Sequence, residues 1–195
     1  MISIARLLLF FVITMGYNAF FRNTVKMNRS LTWVFTFSVI TLVLYLGSLL
    51  GFMLQTVYAI SVLGCLLSLY YLWAVWKKKY RFRRLDYIAL GMMAYLLLFG
   101  ITLWHSPLLH YDNFTHWATI VKFFHINNAL PTQQDTIISY YTYPVGSSLF
   151  IYFFTTIVGF SEGSMLVGQF FLIASSLYAM FAALRDDRRV LMVSM

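Results

Sequence analysis

The sequence predicts an all-α fold, a polytopic transmembrane helical bundle of about five full spans plus one short re-entrant or sixth helix. Of its 195 residues, 61% are hydrophobic and only 10% are charged, too few polar side chains to cover a water-soluble globule. Stretches of about 20 apolar residues, the length that crosses about 30 Å of hydrocarbon, recur along the chain. Short polar clusters separate these stretches, which we therefore interpret as successive helices.

The charge pattern favours a membrane setting and a single membrane domain over residues 1–195. The net charge is +8, but the basic residues gather at the ends of apolar runs, where they set orientation and meet anionic lipid. We therefore expect the lipid bilayer as a partner, and no nucleic acid. The single cysteine, Cys65, lies in mid-span, which excludes a disulfide framework and a thiolate metal cluster.

The first three predicted spans lie near residues 2–21, 31–53 and 57–76. The first span has only Arg6 ahead of its core and no small-residue cleavage pattern behind it, so we interpret it as a retained span and not a signal peptide. An uncharged turn separates the second and third spans, which predicts a tight helical hairpin.

The basic segments predict the orientation. Residues 77–84, with six Lys and Arg around two aromatic rings, are the most basic part of the chain, and short basic loops stay on the cytoplasmic side. Counting back through two spans places the cluster of Arg22, Lys26 and Arg29 inside as well. A fourth span, 87–104, then runs outward and leads into an external loop, 105–143.

Two apolar segments follow the loop, 146–160 and 165–184, and a basic cluster at 185–189 comes after them. The first segment has about 15 residues, which is short for a span, whereas the second is a full-length one. If both segments crossed, the basic cluster would lie outside, against the charge rule. We therefore favour a re-entrant or interfacial helix at 146–160, with a sixth span as the alternative.

The external loop contains the pattern of an amphipathic helix, because apolar residues recur at three- and four-residue intervals with polar residues between them. This pattern predicts a helix over 113–128 that lies at the outer interface, its aromatic face toward the lipid or the bundle. The apolar positions are Phe114, Trp117, Ala118, Val121 and Phe124.

Asp112 and His116 are the candidate catalytic residues. They are four residues apart, so on a helix both side chains project from one face and can share a proton or a ligand. Two structural interpretations stay open: Asp112 as the N-cap of a helix that begins at Asn113, and His116 with Trp117 as interface anchors.

The loop also contains all four histidines of the chain. The spacing of His110, Asp112 and His116 can be drawn as a divalent metal site. Since only one carboxylate is present and histidine is tolerated at polar interfaces without a ligand, we predict no metal and no cofactor, with a divalent metal as the alternative.

A proline corner, Tyr143-Pro144-Val145-Gly146, opens the apolar run after the loop. Proline suits a first helical turn. The tyrosine-rich run 140–143 fits an aromatic belt at the headgroup level. The alternative is a corner that shapes a pocket beside Asp112.

Four motifs stand out in the second half of the chain: Tyr111-Asp112-Asn113-Phe114-Thr115-His116-Trp117, Leu130-Pro131, Tyr143-Pro144-Val145-Gly146 and Gly159-Phe160-Ser161-Glu162. Together they resemble the multi-spanning, GT-C-type membrane glycosyltransferases. In that family an acidic residue follows an outward span, a Tyr-Pro-Pro-Gly-like corner comes later, and a Gly-x-Ser-Glu turn precedes a long helix. The resemblance covers about residues 86–185.

The resemblance implies that Asp112 is a general base or acceptor-orienting carboxylate, which takes the proton of an acceptor hydroxyl while a polyprenyl-phosphate sugar loses its lipid. We expect His116 beside it, and Lys122, on the same helical side, as an electropositive contact for the phosphate. Tyr143 and Pro144 are the expected substrate-binding residues, and a groove among the spans would hold the polyprenyl tail.

The leading hypothesis is a membrane-embedded glycosyltransferase-like protein, or the N-terminal part of one. It would act on lipid-linked sugars at the outer face of a bacterial plasma membrane, alone or with a partner membrane subunit. A transporter or permease component is the alternative, but Leu31 to Trp76 contains no Asp, Glu, Lys, Arg or His, and transport pathways usually require intramembrane charge. A membrane scaffold without activity fits everything except the crowding of polar residues in one loop.

Overall fold

A computed structural model of the protein describes residues 4–77, 87–135, 138 and 143–181. All regular structure in these ranges is helical, which confirms the predicted all-α fold. In chain order the helices are α1 (Ile4–Asn23), α2 (Arg29–Leu49), α3 (Met53–Trp76), α4 (Tyr87–Trp104), α5 (Tyr111–Thr115), α6 (Trp117–Asn127), α7 (Gly146–Val158) and α8 (Glu162–Met180).

Four of these helices, α1, α2, α3 and α8, are long and apolar enough to cross a membrane. Two further apolar helices are shorter, α4 over its stretch Ile88–Trp104 and α7 over Gly146–Val158. The fold therefore has the helices of a multi-pass membrane protein, while the count of about five full spans, with 87–104 among them, stays a prediction.

The helix predicted at 165–184 begins earlier, at Glu162, because Ser161 caps it. The Ser161 hydroxyl accepts a hydrogen bond from the Ser164 N–H, and the Ser164 hydroxyl accepts one from the Ser161 N–H at 2.8 Å, a reciprocal capping box. Residues 182–184 of that prediction lie outside the described residues. So do 78–84 and the cluster 185–189, and the orientation of the bundle therefore stays a prediction.

Small residues bring α1 and α3 into close contact. A Cβ atom at Gly16 would overlap the carbonyl oxygen of Gly64, and the Ser68 hydroxyl donates to the carbonyl of Val12. The Tyr17 hydroxyl donates to the Ile60 carbonyl at 2.7 Å. Close backbone approach with polar contacts between helices is how helices associate in lipid, where no hydrophobic effect drives them together.

Helix α7 is the core of the bundle. It packs against α1, α2, α6 and α8, and nine of its 13 residues are buried. Phe10 of α1 meets Phe154 edge-on with ring centroids 4.8 Å apart, and Phe37 of α2 lies 4.6 Å from Phe150. A helix that is apolar all round is enclosed by other elements. That α7 does not cross the membrane stays a prediction.

Helices α4 and α8 pair antiparallel. The rings of Tyr95 and Phe99 lie 5.3 and 6.0 Å from that of Phe170. At the other end of the pair, α8 begins against the end of α4, where a Cβ atom at Gly163 would overlap the Trp104 carbonyl oxygen. The segment 105–161, which includes α7, therefore begins and ends at the same end of the α4–α8 pair. This is the arrangement expected if the segment starts and finishes on one side of the membrane.

The amphipathic helix predicted at 113–128 is wrong in its bounds, because the segment forms two helices, α5 and α6. Between them His116 departs from helical geometry, with φ −125° and ψ −108°. The Thr119 hydroxyl donates to the Phe114 carbonyl at this break, and side-chain bonds of this kind compete with helical backbone bonds. Helix α6 ends at Asn127 and is followed by the C-cap residue Asn128, whose backbone is left-handed.

Candidate active site

His110 caps α5, so the alternative interpretation of Asp112 as the N-cap is wrong. The helix begins at Tyr111, two positions before the predicted start, and the Nδ1 atom of His110 accepts a hydrogen bond from the Asp112 N–H at 3.3 Å. Asp112 consequently lies in the first turn of α5. Its carboxylate is not used for capping, and the side chain is 58% exposed.

The carboxylate of Asp112 lies between two histidine rings. The Nδ1 atom of His110 is 3.4 Å from Oδ2 of Asp112, and the Nδ1 atom of His116 is 3.9 Å from Oδ1. His110 is 75% exposed and His116 only 21%. The predicted pairing of Asp112 with His116 is therefore present, and His110 adds a third group at the solvent side.

The His116 ring is held by its neighbour in the chain. Its Nδ1 atom forms a hydrogen bond with the Thr115 hydroxyl at 2.6 Å, and that hydroxyl lies 3.2 Å from the Tyr111 carbonyl oxygen. This contact keeps Nδ1 on the side of the ring that faces Thr115 and Asp112.

Tyr143 and Pro144 lie next to this pair. The Tyr143 ring packs edge-on against the His116 ring with centroids 4.8 Å apart. Both Tyr143 and Pro144 are exposed, and both line a groove in the bundle. Four of the five predicted site residues thus come together, although they lie on segments about 30 residues apart. Residues 140–142 of the predicted tyrosine belt lie outside the described residues.

Lys122 does not join them. It is exposed on α6, between the buried residues Val121 and Phe123, and in the part of the chain that the structure describes it forms no salt bridge with Asp112. The expectation that it shares a helical side with Asp112 assumed one continuous helix, and the break at His116 removes that assumption. Its contact with a phosphate stays a prediction.

The groove has a volume of about 740 Å³ and opens between α2, α8 and the proline corner. Helix α7 begins at the groove, at Gly146, and no side chain caps its first turn. Sequence reasoning missed the contribution of α2, whose Ser38, Thr41 and Tyr45 line one wall. The remaining lining residues are Leu42, Leu130, Pro131, Tyr143, Pro144, Val145, Ser147, Leu149 and Leu172.

His125 is a structural histidine that joins α6 to α7. The Nε2 atom of His125 forms a hydrogen bond with the Thr155 hydroxyl at 2.8 Å, and that hydroxyl also contacts the Ile151 carbonyl at 2.8 Å. The ring also contacts Tyr152 and Phe160, with centroids 4.9 and 4.6 Å away. Burial lowers the pKa of His125 from 6.5 to about 4, so it is neutral at pH 7.

The described residues contain no group of three His, Cys, Asp or Glu side chains arranged to hold a metal ion. In the set drawn from the sequence, His110, Asp112 and His116, the Nδ1 atom of His116 is bound to Thr115 and that of His110 to the backbone of Asp112. The arrangement suits proton transfer and hydrogen bonding.

No protein-family model, no curated protein and no solved structure matches this chain. Its class therefore follows from the fold and the site alone. The helices are those of a multi-pass membrane protein, and Tyr143, which contacts the His116 ring, lines a groove between the helices.

Proposed function

We propose that this protein is a membrane-embedded glycosyltransferase-like enzyme, or the N-terminal part of one, that acts on lipid-linked sugars. The observation that carries the proposal is the position of Tyr143, which contacts His116 on one side and lines the groove on the other. This position supports a single site in which a general base acts on an amphiphilic substrate held in the groove.

In the proposed reaction Asp112 is the general base. An acceptor hydroxyl attacks the anomeric carbon of the donor sugar, and the bond between that carbon and the phosphate oxygen breaks. The lipid phosphate leaves with the electron pair, while the acceptor proton passes to the Asp112 carboxylate and then to water. The exposure of Asp112 permits this exchange, and the His116 ring lies beside the carboxylate, with Nδ1 3.9 Å from Oδ1.

The start of α7 supports binding of the phosphate. Its uncapped first turn presents backbone N–H groups beside the groove, and such groups favour an anion. The resemblance to GT-C-type transferases suggests that the external loop lies at the outer face of a bacterial plasma membrane. A partner membrane subunit would complete the enzyme if this chain is one part of it.

Release of polyprenyl phosphate from a panel of polyprenyl-phosphate monosaccharides, in native membranes that supply the acceptor, tests the proposal before the acceptor is identified. We expect release by the wild-type membranes, and a loss of about 100-fold or more in Asp112→Asn, because an amide cannot take the proton. Asp135→Asn is the matched control, since Asp135 is the loop carboxylate that caps a turn at Thr132.

The stability of the variants separates catalysis from structure. Because His110 provides the cap, Asp112→Asn and Asp112→Ala should unfold at the same temperature as the wild type, with differences within about 0.5 kcal/mol. Wild-type release by Asp112→Asn, or no release from any donor by the wild-type protein, would contradict the assignment.

A further inference from the structure

The α2 wall of the groove carries a row of hydroxyl groups. Ser38, Thr41 and Tyr45 are three and four residues apart, so they lie on one face of α2. Helix α2 is one of the helices long enough to cross a membrane, and Ser38 lies near its middle, at position 10 of Arg29–Leu49. Ser147, at the start of α7, lines the groove as well.

Most of these hydroxyls form no hydrogen bond within the described part of the chain. Thr41 donates to the Phe37 carbonyl at 2.8 Å. In contrast, the hydroxyls of Ser38, Tyr45 and Ser147 form no hydrogen bond with any residue that the structure describes. A hydroxyl in a membrane-spanning segment without a partner carries a free-energy cost of about 1–3 kcal/mol, so such groups normally contact water or a polar ligand.

The remaining lining complements a sugar ring. Two tyrosine rings, Tyr45 and Tyr143, border the groove, and aliphatic side chains such as Leu42 and Leu172 form most of the rest. Sugars combine hydroxyl edges with apolar C–H faces, and aromatic rings with polar tips match both. A hydrocarbon tail would leave the hydroxyl row unbonded.

We infer that the groove binds the sugar headgroup of a glycolipid, with the hydroxyls of Ser38, Tyr45 and Ser147 bonded to the sugar. This inference rests on the proposed function and assigns the groove to the headgroup, where the sequence predicted the polyprenyl tail. The anomeric carbon would then lie at the Tyr143 end, beside Asp112 and His116.

A binding measurement that needs no catalysis tests the inference. The full chain, purified in micelles of dodecyl octaethylene glycol, is titrated with dodecyl maltoside, and the rise in unfolding temperature gives an apparent affinity. Dodecyl phosphocholine has the same chain length and no hydroxyl groups. We expect stabilisation by the maltoside and little by the phosphocholine.

Variants locate the binding. In Ser38→Ala/Tyr45→Phe the apparent affinity for the maltoside should fall by about tenfold, the effect of losing two hydrogen bonds between neutral groups. Tyr58→Phe is the matched control, because Tyr58 is an exposed tyrosine on α3 away from the groove. It should bind as the wild type does.

The outcomes separate this inference from the proposed function. Equal stabilisation by both detergents, or an unchanged affinity in the double variant, would overturn the headgroup assignment even if Asp112→Asn abolishes transfer. Sugar-specific binding that depends on Ser38 and Tyr45 would uphold it even if Asp112→Asn keeps full activity, in which case the groove is a glycolipid site without that base.

Discussion

Asp112 and His116 keep the geometry that their spacing predicts even though the helix around them is broken. The backbone N–H of His116 still donates to the backbone carbonyl of Asp112 at 3.0 Å, so the helical turn between the two residues is intact. A four-residue relationship depends on one turn alone, which is why sequence reasoning predicts it. Lys122 lies beyond the break, and the orientation of α6 depends on packing against α7, which no local pattern contains.

His125 is the residue for which pH should matter most. Its folded-state pKa, about 4, is below the ordinary value of 6.5. The folded protein therefore binds fewer protons than the unfolded chain between these pH values. The stability that neutral His125 provides is fully present above about pH 6.5, and it is lost progressively as the pH falls to about 4.

We predict that the unfolding temperature of the purified protein falls between pH 7 and pH 4.5 and that His125→Gln reduces this slope. The glutamine cannot be protonated, and its amide can still donate to Thr155. His105→Gln, at an exposed histidine after α4, is the control. An identical pH slope in wild type and His125→Gln, measured by tryptophan fluorescence, would show that His125 is not the titrating group.

At the scale of the helices, the close approach of the start of α8 to the end of α4 depends on one glycine, Gly163. Backbone atoms of Trp104 occupy the space beside Gly163, so even a methyl group has to displace them. We predict that Gly163→Ala destabilises the protein by about 1–3 kcal/mol, the usual range for overpacking. The readout is the unfolding temperature in detergent.

Gly100→Ala provides the comparison on the same pair of helices. Nothing lies within 4 Å of a Cβ atom at Gly100, and alanine favours the helix. Its unfolding temperature should equal or exceed that of the wild type. If Gly163→Ala were as stable as Gly100→Ala, α8 would not begin against the end of α4.

The helices that the sequence predicts well are those defined by apolar length. Predicted spans near 2–21, 31–53 and 57–76 correspond to α1, α2 and α3 within about four residues. Elements that depend on side-chain hydrogen bonds are less predictable, such as the Ser161 cap that starts α8 early. The groove was not predictable, because it joins α2 to residues about 100 positions later, and only the packed bundle brings them together.

At the scale of the whole molecule, the α4–α8 pairing bears on topology. The first turn of α8 lies beside the last turn of α4. Because the two helices are antiparallel, the last turn of α8 lies on the side of the bundle where α4 begins. We predict that position 189 lies on the same, cytoplasmic side as position 78 and that position 133 lies outside. Single cysteines in a Cys65→Ser background, labelled from either side of the membrane, measure this.

Labelling of position 133 from the cytoplasm would reverse the orientation. Placement of positions 78 and 189 on opposite sides would show that α7 crosses the membrane. The first result would change which face of the membrane the site of Asp112 meets, and the second would change only the side on which α8 begins.

The central claim is that the Asp112–His116 pair and the groove form one site for a lipid-linked sugar. Photo-crosslinking of the full chain in membranes with a polyprenyl-phosphate sugar that carries a diazirine on the sugar tests it most directly. We predict crosslinks to the α2 wall around Ser38 and Tyr45 and to the corner at Tyr143, retained in Asp112→Asn and displaced by unlabelled donor. Crosslinks confined to the lipid-facing side of α3, or a pattern equal to that of a diazirine-labelled phospholipid, would contradict the claim.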